Sequence, residues 1–367
     1  MFNTRIFKIL MDSADDVAGL EKLIDDGVFG ADEVRGIMVS HEGDNYGLAL
    51  TTYTFADLLA RRLGRTRDEI IHTVPIQGIA GMSGFIVPHA AVIVRQEVPD
   101  AEPVGKRLAV AAGCTRDMLP EEVGTMVHLQ EVRRKVEELM AEAGIESPDD
   151  VHFIFVKGPR PGAVGQREAE SRGQKLVVDD KLKLGELARS ASALGAALAL
   201  GEVEESAVGE DMFVTASDRV YSMVTHCSVG EERRGSAIIL LGNSPAAVSE
   251  TVIGHGVMSD GIDADGVKQT LRDMGFDFEC CPSKADLARI DYAFVKPKSG
   301  ESQTIRGYRH TMTTDDMIGI HSWYVEKAPV HAVVSSVLGT PLIEVASGGE
   351  HQGPFASSLL SIVARVA

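Results

Sequence analysis

An apolar run that ends in lysine occurs twice in this chain, as Val151-His152-Phe153-Ile154-Phe155-Val156-Lys157 and as Asp291-Tyr292-Ala293-Phe294-Val295-Lys296. Each run follows a helix-like segment closed by a glycine, 136–140 with Gly144 and 270–274 with Gly275, and then an acidic linker. An altered copy lies near the start: 19–24, Gly27, Ala31-Asp32-Glu33, then Val34-Arg35-Gly36-Ile37-Met38-Val39-Ser40. Repetition of this kind settles architecture before any single motif does, because similar units stack and bury one another's apolar faces. Strand-like and helix-like stretches alternate throughout, which predicts an α/β chain of three structurally similar domains around a pseudo-threefold axis. The composition shifts at Pro99, Pro103 and Gly105, and the recurrence of the pattern, place the units at about 1–104, 105–249 and 250–367.

Three positions recur with the units. The strand ends on Ser40, Lys157 or Lys296, the next segment offers Phe55, Arg189 or Arg309, and a later loop offers Ile79-Ala80-Gly81, Ser228-Val229-Gly230 or Ser347-Gly348-Gly349. Stacked about one axis, such positions converge on a pocket suited to a small ring-shaped ligand. A serine attacks a carbonyl only when its proton is taken, and a lysine in a dry pocket can take it because burial disfavours the ammonium form. Lys157 ends an apolar strand, where burial is expected, and Ser228 and Ser347 each occupy a Ser-x-Gly loop whose N–H groups can face an oxyanion. His226 beside Ser228 offers a second candidate base, ranked below Lys157.

The net charge of −18 argues against nucleic acid or an anionic membrane as partner. No run is long and apolar enough to span a bilayer, and the four cysteines, of which only Cys280 and Cys281 are adjacent, form neither a CxxC pair nor a disulfide framework. These features predict a cytoplasmic protein. No glycine loop reads GxGxxG or Walker A after a strand, so no nucleotide cofactor is expected. Glu350-His351 lacks a partner at ligand spacing, which disfavours a catalytic metal.

Val-Lys-Gly-Pro at 156–159, Ala-Ser-Ala-Leu-Gly at 191–195, Cys-Thr-Arg-Asp-Met-Leu-Pro-Glu-Glu at 114–122, His-Gly-Val-Met-Ser-Asp at 255–260, Arg-Gly-Tyr-Arg-His-Thr-Met at 306–312 and Ser-Gly-Gly-Glu-His-Gln-Gly-Pro at 347–354 together resemble the cyanuric acid hydrolase and barbiturase family of ring-opening amidohydrolases. The resemblance implies three similar domains around one substrate, a homotetramer and no cofactor. It implies Lys157 and Ser228 as the catalytic pair, with Lys296, Ser347, Arg189 and Arg309 holding the ring and Gly230, Gly348 and Gly81 in the loops around it. The first unit departs from that pattern, with Ser40, Phe55 and Ile79 where lysine, arginine and serine are implied. A ring with a hydrocarbon edge or substituent therefore suits the pocket better than one with three equivalent carbonyls. The resemblance also implies a structural metal near Gln352-Gly353-Pro354, held by a glutamate two residues beyond the third-unit lysine. Lys298 stands there instead, so an ammonium group is expected in the cation's place and no metal. The expected activity is hydrolytic opening of a cyclic imide, amide or ureide. The alternatives are a diverged enzyme acting on another, partly apolar cyclic amide and a non-catalytic small-molecule binder.

Overall fold

The computed structural model describes residues 1–41, 45–80, 85–213, 219–298, 302, 304–311, 322–346 and 349–366. In chain order the first stretch forms β1 (Phe2–Leu10), α1 (Ala18–Asp25), β2 (Val34–His41), α2 (Asn45–Leu63), α3 (Arg67–Thr73), β3 (Ile76–Ala80) and β4 (His89–Glu97). The second forms β5 (Arg107–Cys114), α4 (Met126–Glu142), β6 (Val151–Pro159), α5 (Ala163–Ser171), α6 (Lys181–Ala199), β7 (Thr225–Gly230) and β8 (Ala237–Ser244). The third forms β9 (Thr251–Met258), α7 (Ala264–Asp273), the short α8 (Lys284–Leu287), β10 (Ile290–Pro297), a hairpin of β11 (Thr304–Ile305) and β12 (Tyr308–Arg309), α9 (Ser322–Leu338), β13 (Glu344–Val345) and β14 (Ser358–Arg365).

One topology is used three times. The sheets run β1-β4-β2-β3, β5-β8-β6-β7 and β9-β14-β10-β13, so the first strand of each stretch always pairs with the last. In every sheet the two outer pairings on that side are antiparallel and the final pair is parallel: β2 with β3, β6 with β7, β10 with β13. A parallel neighbour must be reached by a crossover, and α2, α6 and α9 lie in the three crossovers. Each of these helices ends on Leu-Gly, with Gly64, Gly201 and Gly339 at φ of 63°, 67° and 69°. That left-handed turn costs a glycine little and stops the helix at the same point in each stretch.

The central strands read as nearly unbroken apolar runs because both faces are covered. Ile37 and Val39 of β2, Ile154 and Val156 of β6, and Ala293 and Val295 of β10 face three separate helix-covered cores. The alternate residues Met38, Phe155 and Phe294 meet in a fourth core, with Ile79, Val110, Ile239, Tyr292 and Ala346, drawn from all three sheets. Phe153 stacks on Phe294 there at 4.0 Å between ring centroids. This shared core is the fold's approximate axis, and the lysine-bearing strand ends lie one step beyond it.

Several elements differ from the sequence expectations. Residues 225–230 form a strand, not a loop, because they pair in parallel with β6 over its last six residues. Strands β9 and β14 were not anticipated, and they pair with each other from Thr251 to Met258. The four cysteines are free, and among the described residues no helix is long and apolar enough to cross a membrane.

Candidate active site

Side chains alternate along a strand, so residues two apart share a face. Phe155 and Lys157 face the axis from β6, as Phe294 and Lys296 do from β10. The parallel register sets Lys157 opposite Ser228, and their side chains meet with Lys157 Nζ 3.3 Å from Ser228 Oγ. Lys157 is buried and Ser228 half-buried, so the hydroxyl is the reachable member of the pair. Burial holds the Lys157 amine below its ordinary pKa; Glu232, with Oε1 3.7 Å away, opposes the shift, and the Arg233 and Arg160 charges add to it. Gly230, buried at the end of β7, permits this arrangement, since a Cβ there would lie 2.1 Å from the Glu232 carboxylate.

Lys296 is fully buried and reaches across to the second sheet, donating to the Cys227 carbonyl at 2.7 Å. It therefore grips the peptide that carries Ser228. Burial drives its amine down in pKa, against the opposing pull of nearby Cys227 and Glu344. The Cys227 N–H donates to Gln352 Oε1 at 2.6 Å, so both sides of that residue are held from the third stretch.

Arg189, on α6, forms a two-pronged ion pair with Glu350: Nε to Oε2 and Nη2 to Oε1, both 2.6 Å. Both groups are largely buried, and the pairing holds Glu350 below the usual carboxylate range despite its desolvation. Glu350-His351-Gln352 thus stitches the third stretch to the second. His351, at φ 57°, completes the stitch through its contacts with the Val220 and Met212 carbonyls.

The shared Leu-Gly helix end permits a position-by-position comparison. Counting back twelve residues from Gly201 reaches Arg189; the same count from Gly64 reaches Thr52, and from Gly339 reaches Lys327. Both counterparts are buried. Thr52 bonds within its helix, Oγ1 to the Leu48 carbonyl at 3.0 Å. Burial pushes the Lys327 amine down to about 8, with Glu344 and Glu326 opposing.

This placement relocates two expected site residues. Phe55 lies three positions past Thr52 on α2 and is packed in the first helix-covered core, not at the position of Arg189. Arg309 stands exposed on β12, and no described contact brings it to Lys157 or Ser228. Ile79 lies opposite Ser40 in register, as Ser228 lies opposite Lys157, and faces the axial core. In the third sheet the register Val295 to Val345 brings Ala346 opposite Lys296, and the Ala346 N–H donates to the Val295 carbonyl at 3.0 Å. Ser347 and Gly348 lie outside the described residues, as does Gly81.

Lys298 is buried and donates to the Gly353 carbonyl at 3.1 Å. Its stem lies against Gly349, where a Cβ would come within 2.6 Å of Lys298 Cγ. A fixed ammonium against that carbonyl does not fit a bound cation at the same oxygen. Among the described residues no cluster of three or more His, Cys, Asp or Glu side chains could hold a metal ion.

The second stretch thus combines a buried amine, a reachable hydroxyl and a buried guanidinium, while the first presents hydroxyls and a hydrocarbon at the matching places. Comparison with known proteins agrees with this reading of the fold. The chain is 36% identical to a cyanuric acid amidohydrolase of Enterobacter cloacae, over 99% of each chain. It is 37% identical to a cyclic amide hydrolase of Azorhizobium caulinodans, over 98% of each. A solved cyanuric acid hydrolase superposes with a TM-score of 0.91 at 34% identity, covering all of both chains. With the model of the amidohydrolase ring-opening proteins matching residues 5–365, the chain belongs to that family.

Proposed function

We propose that this protein opens a cyclic amide, imide or ureide ring by attack of Ser228, with Lys157 as general base. The observation that carries the reading is a buried, pKa-lowered amine within 3.3 Å of a half-buried serine hydroxyl. The neutral amine takes the Ser228 proton as Oγ bonds to the ring carbonyl carbon. The C–N bond then breaks, and the ammonium returns the proton to the leaving nitrogen. The ring is now linear but tethered as an ester on Ser228. Water adds to that ester while Lys157 again takes a proton, the Ser228 C–O bond breaks, and the hydroxyl is reprotonated. The product leaves as a carboxylate.

The Lys296 ammonium supports the chemistry from behind. By donating to the Cys227 carbonyl it fixes the Cys227–Ser228 peptide, whose N–H is taken up in the β6–β7 ladder, and so holds the nucleophile in place. On the first-stretch side, Ser40, Thr52 and Ile79 supply no cation. A carbonyl placed there lacks a charged donor, which favours a ring whose third edge is hydrocarbon or substituted. Relatives carrying cyanuric acid in their names define one end of the substrate panel.

Cyanuric acid, barbituric acid, substituted barbiturates, cyclic imides and lactams form a direct screen for ring opening. A substituted or partly hydrocarbon ring is expected to turn over fastest, and Ser228→Ala should reduce that turnover at least about a thousandfold. Full activity in Ser228→Ala would end the proposal.

A further inference from the structure

One layer below Ser228, the approximate threefold axis carries three polar side chains that the reaction does not use. Gln77 lies opposite Met38, His226 opposite Phe155 and Glu344 opposite Phe294, so the three occupy the same place in the three sheets. Each precedes by two residues the position of Ile79, Ser228 or Ala346, and so projects from the same strand face, toward the shared core. All three are fully buried. None of their six side-chain nitrogen and oxygen atoms has a hydrogen-bond partner among the described residues.

Buried polar atoms without partners are rare because each loses its bonds to bulk water and gains none. Three at equivalent places, amid Met38, Phe153, Phe155 and Phe294, are not a local accident of packing. His226 Nδ1 and Glu344 Oε2 are 4.0 Å apart. That is too far for a direct bond but within the span of one water molecule with two legs of about 2.8 Å. A metal ion is disfavoured, because the Lys296 and Lys327 charges act on the Glu344 carboxyl. Ordered water asks for two to four polar partners, and this layer offers them.

We propose that Gln77, His226 and Glu344 form a binding site for ordered water beneath the catalytic layer, and that Glu344 acts through it as a positioning residue. The Lys296 and Lys327 charges act on the Glu344 carboxyl, and Lys296 in turn donates to the Cys227 carbonyl one residue before Ser228. Loss of the Glu344 carboxyl and of the water it holds changes the field on Lys296 and lets the nucleophile's peptide shift. The water site stands independently of the reaction; the positioning role rests on Ser228 being the nucleophile.

A crystal structure of the full chain at a resolution that resolves single waters tests the site. Density within hydrogen-bond distance of both His226 and Glu344 is expected; a dry layer overturns the proposal, whatever the reaction. Kinetics test the positioning role. Glu344→Gln keeps two polar atoms for water and is expected to hold kcat within about threefold. Glu344→Leu removes them and is expected to lower kcat at least about tenfold, with KM changed far less. Equal loss in both variants, or none in either, overturns the positioning role. Should Glu344→Leu fail to fold, Gln77→Leu, at the corner that carries no charge, takes its place. It is expected to lose ordered density on that side, and unchanged density there would overturn the site.

Discussion

Replacing Lys157 by methionine separates catalysis from stability more cleanly than any other change in this protein. The two side chains have similar length, so the buried slot stays filled and no cavity term arises. What disappears is the amine 3.3 Å from Ser228 Oγ. A positioned general base contributes about 10²–10⁴ in rate, which at about 1.4 kcal/mol per tenfold is roughly 3–5 kcal/mol of transition-state stabilisation. Stability moves the other way or not at all. Burial disfavours protonation of Lys157 in the native state, so the unfolded chain binds a proton that the native chain does not. By linkage, native stability rises with pH between the lowered native pKa and the ordinary lysine value, and below that window the buried amine is a burden. Methionine removes the burden, and the Glu232 carboxylate, partly open to water, tolerates the loss of its distant partner. The assay pairs kcat/KM on the best substrate of the panel with thermal unfolding across pH 6 to 10. Expected are a loss of at least about a hundredfold in kcat/KM, an unchanged or higher Tm at neutral pH, and a flatter dependence of Tm on pH. In the parent, kcat/KM should rise with pH through a midpoint below the ordinary lysine value, since the neutral amine is the working form. Activity within tenfold of the parent, or a Tm loss large enough to explain inactivity, would refute the assignment.

Arg189→Met leaves the Glu350 carboxylate buried without its two-pronged partner, and is expected to cost about 3–5 kcal/mol, read as a fall in the denaturation midpoint. An unchanged midpoint would show that the pair is not structural. Ala346→Ser restores a hydroxyl opposite Lys296. It is expected to raise kcat/KM for cyanuric acid, relative to a ring with a hydrocarbon edge, by about fivefold, the worth of one hydrogen bond of roughly 1 kcal/mol. No change in that ratio would mean that position 346 does not face substrate. Gly201→Ala, at φ 67°, should cost about 1–2 kcal/mol by thermal unfolding while leaving KM unaltered. A neutral result would show that the helix end relaxes.

The strand repeat was legible because a strand buried on both faces needs an unbroken apolar run, and a lysine at its end interrupts the pattern conspicuously. The pairing of Lys157 with Ser228 was instead implied by the family resemblance, and the parallel register of β6 and β7 brings the two side chains together. The helix positions were less legible. Arg309 lies in a segment rich in arginine and drew attention by residue type, whereas Lys327 is one cation in an apolar helix and has no such signal. The usable mark was the Leu-Gly that ends α2, α6 and α9, since a fixed count from a fixed stop gives the same helix face each time. That count also moves the first-stretch position from Phe55 to Thr52. The axial place of Ala346 was not legible because it carries no polar group, and only pairing to β10 shows it. The polar layer of Gln77, His226 and Glu344 was invisible for a related reason. Its members share no chemistry, only a place in three sheets.

The proposed chemistry passes through a covalent bond between Ser228 and the opened ring. Rapid quenching of the enzyme with its fastest substrate, followed by intact-mass measurement and peptide mapping, looks for that bond directly. An adduct of the substrate's mass on the peptide containing Ser228, absent in Ser228→Ala, is the predicted result; turnover with no adduct at any quench time, or an adduct on another residue, would contradict it.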